Sequence, residues 1–82
     1  MKYVAKIEVS LKPEHINPEG ETAAYLLKEL GYQVDKVDVS KVYTIVLQAS
    51  SIAEAKMKAE EMSGRLLANT AKDDYTISVV DQ

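Results

Sequence analysis

From Lys2 to Lys12 the chain alternates between two kinds of side chain, and nothing else in it constrains the fold as tightly. Tyr3, Ala5, Ile7, Val9 and Leu11 share one face, while Lys2, Lys6, Glu8, Ser10 and Lys12 lie on the other. A period of two sustained over ten residues specifies a strand with one buried face, because successive side chains point to opposite sides of a sheet. Pro13 ends it, having no N–H to offer a ladder. A half-buried strand needs a layer to cover it, and the following residues supply a helix. Asn17 is placed to cap the first-turn amides, Pro18 suits the first helical position, and Glu19 and Glu21 complement the positive end of the dipole. Ala23, Leu26, Leu27 and Leu30 recur at three- and four-residue steps, and Gly31 follows where a left-handed cap is wanted. The predicted helix spans 18–30.

Residues 32–39 and 42–49 read as two further strands joined at Ser40-Lys41. Val37 and Val39 set the phase of the first. Val34 falls on the opposite phase, which implies a bulge or twist near Asp35-Lys36. Ser-Lys is a poor two-residue turn, so one long bent strand over 33–49 is the alternative. The segment Val42-Tyr43-Thr44-Ile45-Val46-Leu47 is apolar on both faces, whereas a strand covered on one side alternates. Burial of its second face against another subunit accounts for this, with Val42, Thr44 and Val46 as the self-association surface. Ser51 and Glu54 match a capping box that opens a second helix. Its core stripe is predicted to be Ile52, Ala55, Ala59, Met62, Ser63 and Leu66, with Glu54 and Lys58 paired at i,i+4 on the surface. Leu67 falls just off that stripe, placed either to pack on the sheet edge or to meet a partner, and Asn69 suits an end cap. A last strand covers 74–80, with Tyr75, Ile77 and Val79 on one face.

The order β-α-β-β-α-β, with two helices on one face of a four-stranded antiparallel sheet, is the ferredoxin-like α+β sandwich. Right-handed crossovers put the first and third strands in its centre. All 82 residues form a single domain. So short a chain hides only about 60% of its unfolded surface, which makes association a natural remedy for a thin core. There is no cysteine, hence no disulfide and no thiolate for a metal. The charged N-terminus is no signal peptide, and no apolar run approaches the ~20 residues of a membrane span. A cytoplasmic location and no membrane contact are the expectations.

Few residues carry candidate chemistry. His15 is the only histidine; Glu14 stands beside it, but no nucleophile or second base accompanies it, and an exposed loop histidine is the simpler reading. Asp73-Asp74 and Asp35/Asp38 offer carboxylates of the kind magnesium uses, although turn and strand-start roles explain them. The amides of Asn17-Pro18-Glu19-Gly20 are placed to meet an anion, but Glu19 and Glu21 would repel it and no phosphate-loop pattern is present. Nucleic acid is excluded as a partner: the net charge is −3, Arg65 is the only arginine, and Tyr3 and Tyr43 share a phase with core residues.

Val9-Ser10-Leu11-Lys12 with Asn17-Pro18-Glu19-Gly20, then Leu27-Lys28-Glu29-Leu30-Gly31-Tyr32, then Leu66-Leu67-Ala68-Asn69 with Asp74-Tyr75, resemble the segments of the PurS family in order and spacing. These are small subunits of the multi-subunit phosphoribosylformylglycinamidine (FGAM) synthase of purine biosynthesis. The resemblance implies a non-catalytic role within an amidoligase complex. In it a glutaminase subunit releases ammonia, and a large synthetase subunit uses ATP and magnesium to convert formylglycinamide ribonucleotide to the amidine. The small subunit would bridge the two, assist ammonia transfer, bind no cofactor itself, and associate as a homodimer or dimer of dimers. Asn17 stands where many relatives carry Asp. Partner-contact candidates are Asn17, Pro18, Gly20, Leu67, Asn69, Asp74 and Tyr75; His15 and Arg65 match no family motif. An ACT-like small-molecule-binding regulatory domain is the alternative with the same topology. An acylphosphatase-like enzyme would need an arginine in the first loop, where Lys12 is the only cation.

Overall fold

A computed structural model describes all 82 residues. The alternating segment forms β1 (Lys2–Leu11), and it is the central strand of a three-stranded antiparallel sheet. On one side lies β2 (Lys41–Gln48) and on the other β3 (Asp73–Asp81), giving the order β2-β1-β3. The register places Ile7 opposite both Tyr43 and Ile77, and Ala5 opposite Ile45 and Val79. The inner face predicted for β1 is therefore the core face, where Tyr3, Ala5, Ile7 and Val9 are all buried.

The helix α2 (Ile52–Met62) lies across that face and packs on β1 and β3. The residues it buries completely there are small. Ala55, Ala59 and Ser63 are completely buried at four-residue steps, so the backbone can approach the sheet closely. The Ser63 hydroxyl donates to the Ala59 carbonyl at 2.8 Å, which satisfies the one fully buried polar side chain. The stripe predicted for this helix fails at both ends: Ile52 is exposed, and so is Leu66. The reason for the second is a π-helical turn over Ser63–Leu67. It closes with the Ala68 amide donating to the Ser63 carbonyl at 2.9 Å, and the wider turn shifts the phase by one residue. Leu67 packs on the core, one of the two placements open to it, while Leu66, expected on the core stripe, is 83% exposed.

At its start α2 has the expected cap. The Glu54 amide donates to the Ser51 hydroxyl at 3.1 Å, and the Glu54 carboxylate accepts from the Ser50 amide at 3.0 Å and the Ser50 hydroxyl at 3.1 Å. These bonds, the backbone one first, with Lys58 at 3.4 Å adding a further pull, hold the carboxyl below its ordinary 4.5. A depressed acid stabilises the fold fully above its unfolded pKa and loses that contribution as pH falls through the folded value. Wild type is thus expected to lose more stability than Glu54→Gln between pH 6 and pH 3, read as the difference in urea midpoints. Equal losses in the two proteins would contradict the role of this cap.

Helix α1 (Pro18–Glu29) also begins and ends as predicted. Asn17 accepts from the Gly20 amide at 2.8 Å. At the other end Tyr32 N–H reaches the Leu27 carbonyl and Gly31 N–H the Lys28 carbonyl, with Gly31 at φ 98°. Its position is the surprise. Only Gly20 is buried in it, Leu26 and Leu30 are exposed, and it has no contact with the sheet comparable to that of α2.

The fourth strand predicted over 32–39 is absent as a ladder member. Residues 33–40 run without backbone pairing straight into β2, so Ser40-Lys41 is no hairpin turn. With that strand missing from the sheet, β2 is an edge rather than the second central strand. The result is an elongated molecule, 51 × 27 × 14 Å.

Candidate functional site

Three connections converge where β1 ends: the loop into α1, the approach to β2, and the loop from α2 to β3. They enclose an open cleft of about 430 Å³ whose walls include Val9, Leu11, Asn17, Pro18, Ser40, Lys41, Leu67, Lys72 and Asp73. Three of the predicted contact residues, Asn17, Pro18 and Leu67, thus share one concavity although 50 residues separate the first from the last. Asn69 opens the adjoining turn, Asp74 stands at the start of β3 beside it, and Gly20 and Tyr75 lie outside the cleft.

Most polar groups here are already engaged within the chain. Asn17 uses its oxygen on the Gly20 amide and its Nδ2 on the Val39 carbonyl at 3.0 Å, so it clips α1 to the strand-like return behind it. Gly20 is needed for that closeness: a methyl group on it would overlap the Val37 carbonyl. Asn69 shapes the next turn. Its Oδ1 accepts from the Ala71 amide at 3.1 Å, and its own amide donates to the Asp73 carboxylate at 2.9 Å. Ser40 donates to Glu8 at 2.7 Å. Asp74 faces Lys12 at 4.0 Å across an exposed gap, a pair of little energetic weight. Tyr75 donates its hydroxyl to Glu60 at 2.6 Å, and this bond to a carboxylate raises the phenol above its usual 10.0. His15 is exposed in the first loop, its amide bonded to the Lys12 carbonyl at 2.9 Å. What this end of the sheet offers is a shaped surface with mixed charge.

The opposite face of the sheet carries no helix. Val42, Thr44 and Val46 lie on it, all exposed. Register adds residues that the strand-by-strand reading missed: Val4 stands opposite both Val46 and Val80, making a row of three valines across the open sheet. Their signal was in the outward positions of β1 and β3, but it is legible only once pairing is known.

Residues 4–81 match the family described as PurS: Phosphoribosylformylglycinamidine (FGAM) synthase. The chain belongs to the PurS family. The PurS subunit of FGAM synthase from Methanothermobacter thermautotrophicus is 33% identical over 79 residues, which cover 96% of this chain and 94% of that protein. The crystal structure of Methanocaldococcus jannaschii PurS superimposes with a TM-score of 0.87 at 34% identity, over 98% of each chain. That PurS is described as one of the subunits of formylglycinamide ribonucleotide amidotransferase in the purine biosynthetic pathway. A chain in the Thermotoga maritima PurLQS structure shares the fold, with a TM-score of 0.89 over 98% of this chain at 22% identity. The PurS match spans β1 through β3, so the detached α1, the π-helical turn and the cleft all lie inside the shared region. The resemblance carried by the three short motifs is confirmed at the level of the whole chain. A PurS chain is a subunit of FGAM synthase, a ligase of purine biosynthesis.

Proposed function

We propose that this chain acts within FGAM synthase as a non-catalytic assembly subunit, bridging the glutaminase and synthetase subunits and assisting ammonia transfer between them. The observation that carries the reading is the family match over residues 4–81. Two features of the chain support it. The polar groups at the cleft and in the turn beside it are engaged in internal bonds that set its shape, as Asn17, Ser40 and Asn69 illustrate. Meanwhile apolar surface remains exposed in amounts that suit contact with other chains. ATP, magnesium and glutamine are used by the partners in this reading, and no cofactor is held here. Leu67, Asn69, Asp74 and the Asn17–Gly20 turn lie at or beside the cleft end of the sheet, which makes that end the proposed contact with an enzyme partner.

Self-association is part of the same proposal. Val42, Thr44 and Val46, joined by Val4 and Val80, form the sheet surface through which copies meet. No helix is long and apolar enough to cross a membrane, and a cytoplasmic site of action goes with the pathway. The ACT-like alternative gains nothing specific from the geometry, and family membership favours the subunit.

Affinity purification of the tagged chain, with glutamine and nucleotide present and bound proteins identified by mass spectrometry, tests the bridge. Recovery of both a glutaminase and an ATP-dependent synthetase is the expected result. Recovery of neither contradicts it.

A further inference from the structure

At β3 the sheet ends without a guard. This strand is the last in the order β2-β1-β3, nine residues long, and its pairing with β1 runs unbroken from Asp73 to Asp81. The direction of its free groups follows from register. The Gln82 amide donates to the Lys2 carbonyl at 3.2 Å, and the Lys12 amide to the Lys72 carbonyl at 2.8 Å. Bonded pairs alternate along an antiparallel ladder, so the even-numbered residues of β3 bond β1 and the odd-numbered ones face away. Asp73 uses its amide on the Asn69 carbonyl at 2.7 Å. The N–H and C=O groups of Tyr75, Ile77 and Val79 have no partner in the chain.

Exposed edges are normally blunted by lysine, proline, a bulge or short length. β3 has none of the four: residues 73–81 hold no cation and no proline, and the register slips nowhere. Cover is also incomplete on the inner face at this edge. Tyr75 and Ile77 pack on the core yet stay only partly buried, so a strand laid beside them finds an apolar seat next to α2.

We propose that the free edge of β3 receives an extended segment of an enzyme subunit, added as a further strand, with basic side chains flanking an apolar centre. The inference rests on the assembly reading above and names how one of its contacts is made. Charge selects the occupant. The strand carries three carboxylates and no cation, and the two at its ends that are exposed, Asp74 and Asp81, meet only Lys12, 4.0 Å from Asp74. A second copy of β3 is a poor fit. Antiparallel pairing over the full length, centred on Ile77, sets Asp73 of one copy against Asp81 of the other at both ends, and like charges directly opposite repel. A segment with Lys or Arg at its ends meets opposite charge instead. Position supports the same occupant: Asp73 is part of the cleft wall, so a partner engaged at the cleft has a continuous path onto the edge.

Residue-resolved hydrogen exchange on the full-length chain, alone and mixed with purified glutaminase or synthetase, reads the edge directly. The amides of Tyr75, Ile77 and Val79 are expected to slow by at least ~100-fold in one of the mixtures. Those of Thr76 and Ser78, already bonded to β1, are expected to change little, and this period of two distinguishes strand addition from simple occlusion. A semisynthetic chain N-methylated at the Ile77 amide keeps every bond to β1 and blocks the edge. Its affinity for that subunit is expected to fall at least ~10-fold. Asp74→Lys/Asp81→Lys is expected to weaken binding by a similar factor at low salt. Should the N-methylated chain fail to fold, the wild-type exchange pattern decides alone. A complex that forms with the three amides unchanged overturns the inference and leaves the bridging role standing. So does either altered chain that folds and binds like wild type, or slowing already complete in the isolated chain, which would make a second copy the occupant. Failure of both enzyme subunits to bind removes the assembly reading, and the edge contact with it.

Discussion

Replacing Ile7 by alanine is expected to lower the unfolding free energy by about 2–5 kcal/mol. Ile7 is fully buried in the middle of the central strand, with Tyr43 and Ile77 directly opposite it on the two flanking strands. Truncation removes apolar surface from all three strands at once. It leaves a cavity bounded by a sheet that cannot move inward without breaking register. For 82 residues, typical stabilities of 0.05–0.15 kcal/mol per residue amount to about 4–12 kcal/mol in total. The loss is therefore a large share of the whole, and urea unfolding would show it as a midpoint that falls by half or more if the protein sits at the low end. Lys6→Ala, one residue away on the open face, is expected to change stability by no more than about 0.5 kcal/mol. Similar midpoints for the two variants would show that the core is not where the burial pattern puts it.

That contrast rests on β1, the element most legible in the sequence. Its alternation is local, broken only by Val4, and ended by Pro13, and the structure has the same face buried. Both helix starts were legible for the same reason, since a cap is a contact between residues three apart: Asn17 with Gly20, Ser51 with Glu54. Legibility fails where the deciding contact is distant. The phase of Leu66 and Leu67 turns on one extra residue in the π-helical turn, and no local pattern distinguishes it from a continuing α-helix. Residues 32–39 have strand character, but a strand is defined by its neighbour, and within one chain this segment has none. The apolar stripe of helix α1 demands cover, yet that demand does not say what supplies it, and its own sheet does not. At the candidate site, the sequence nominated residues by resemblance. The structure brings Asn17, Pro18 and Leu67 together at one cleft, gives Gly20 a packing role, and engages Tyr75 with Glu60 at the edge of α2.

The bridging role predicts an asymmetric loss of activity when the chain is left out. The synthetase reaction needs ammonia and an activated amide, and neither is made by this subunit in the proposed arrangement. Free ammonia at high concentration therefore bypasses it. Glutamine does not, because ammonia released by a detached glutaminase is diluted into solvent before it reaches the second site. Holding two components in one assembly raises effective concentration enough to change apparent coupling by about 10²–10⁴-fold. Omission should then cut glutamine-dependent synthesis by at least ~100-fold.

The decisive measurement is amidine formation by purified glutaminase and synthetase, with and without this chain, from glutamine and separately from ammonium salt. The account predicts that the chain is required with glutamine and dispensable with ammonium. Equal glutamine-dependent rates in its absence would contradict the bridge, and loss of the ammonium-dependent reaction as well would contradict its non-catalytic character.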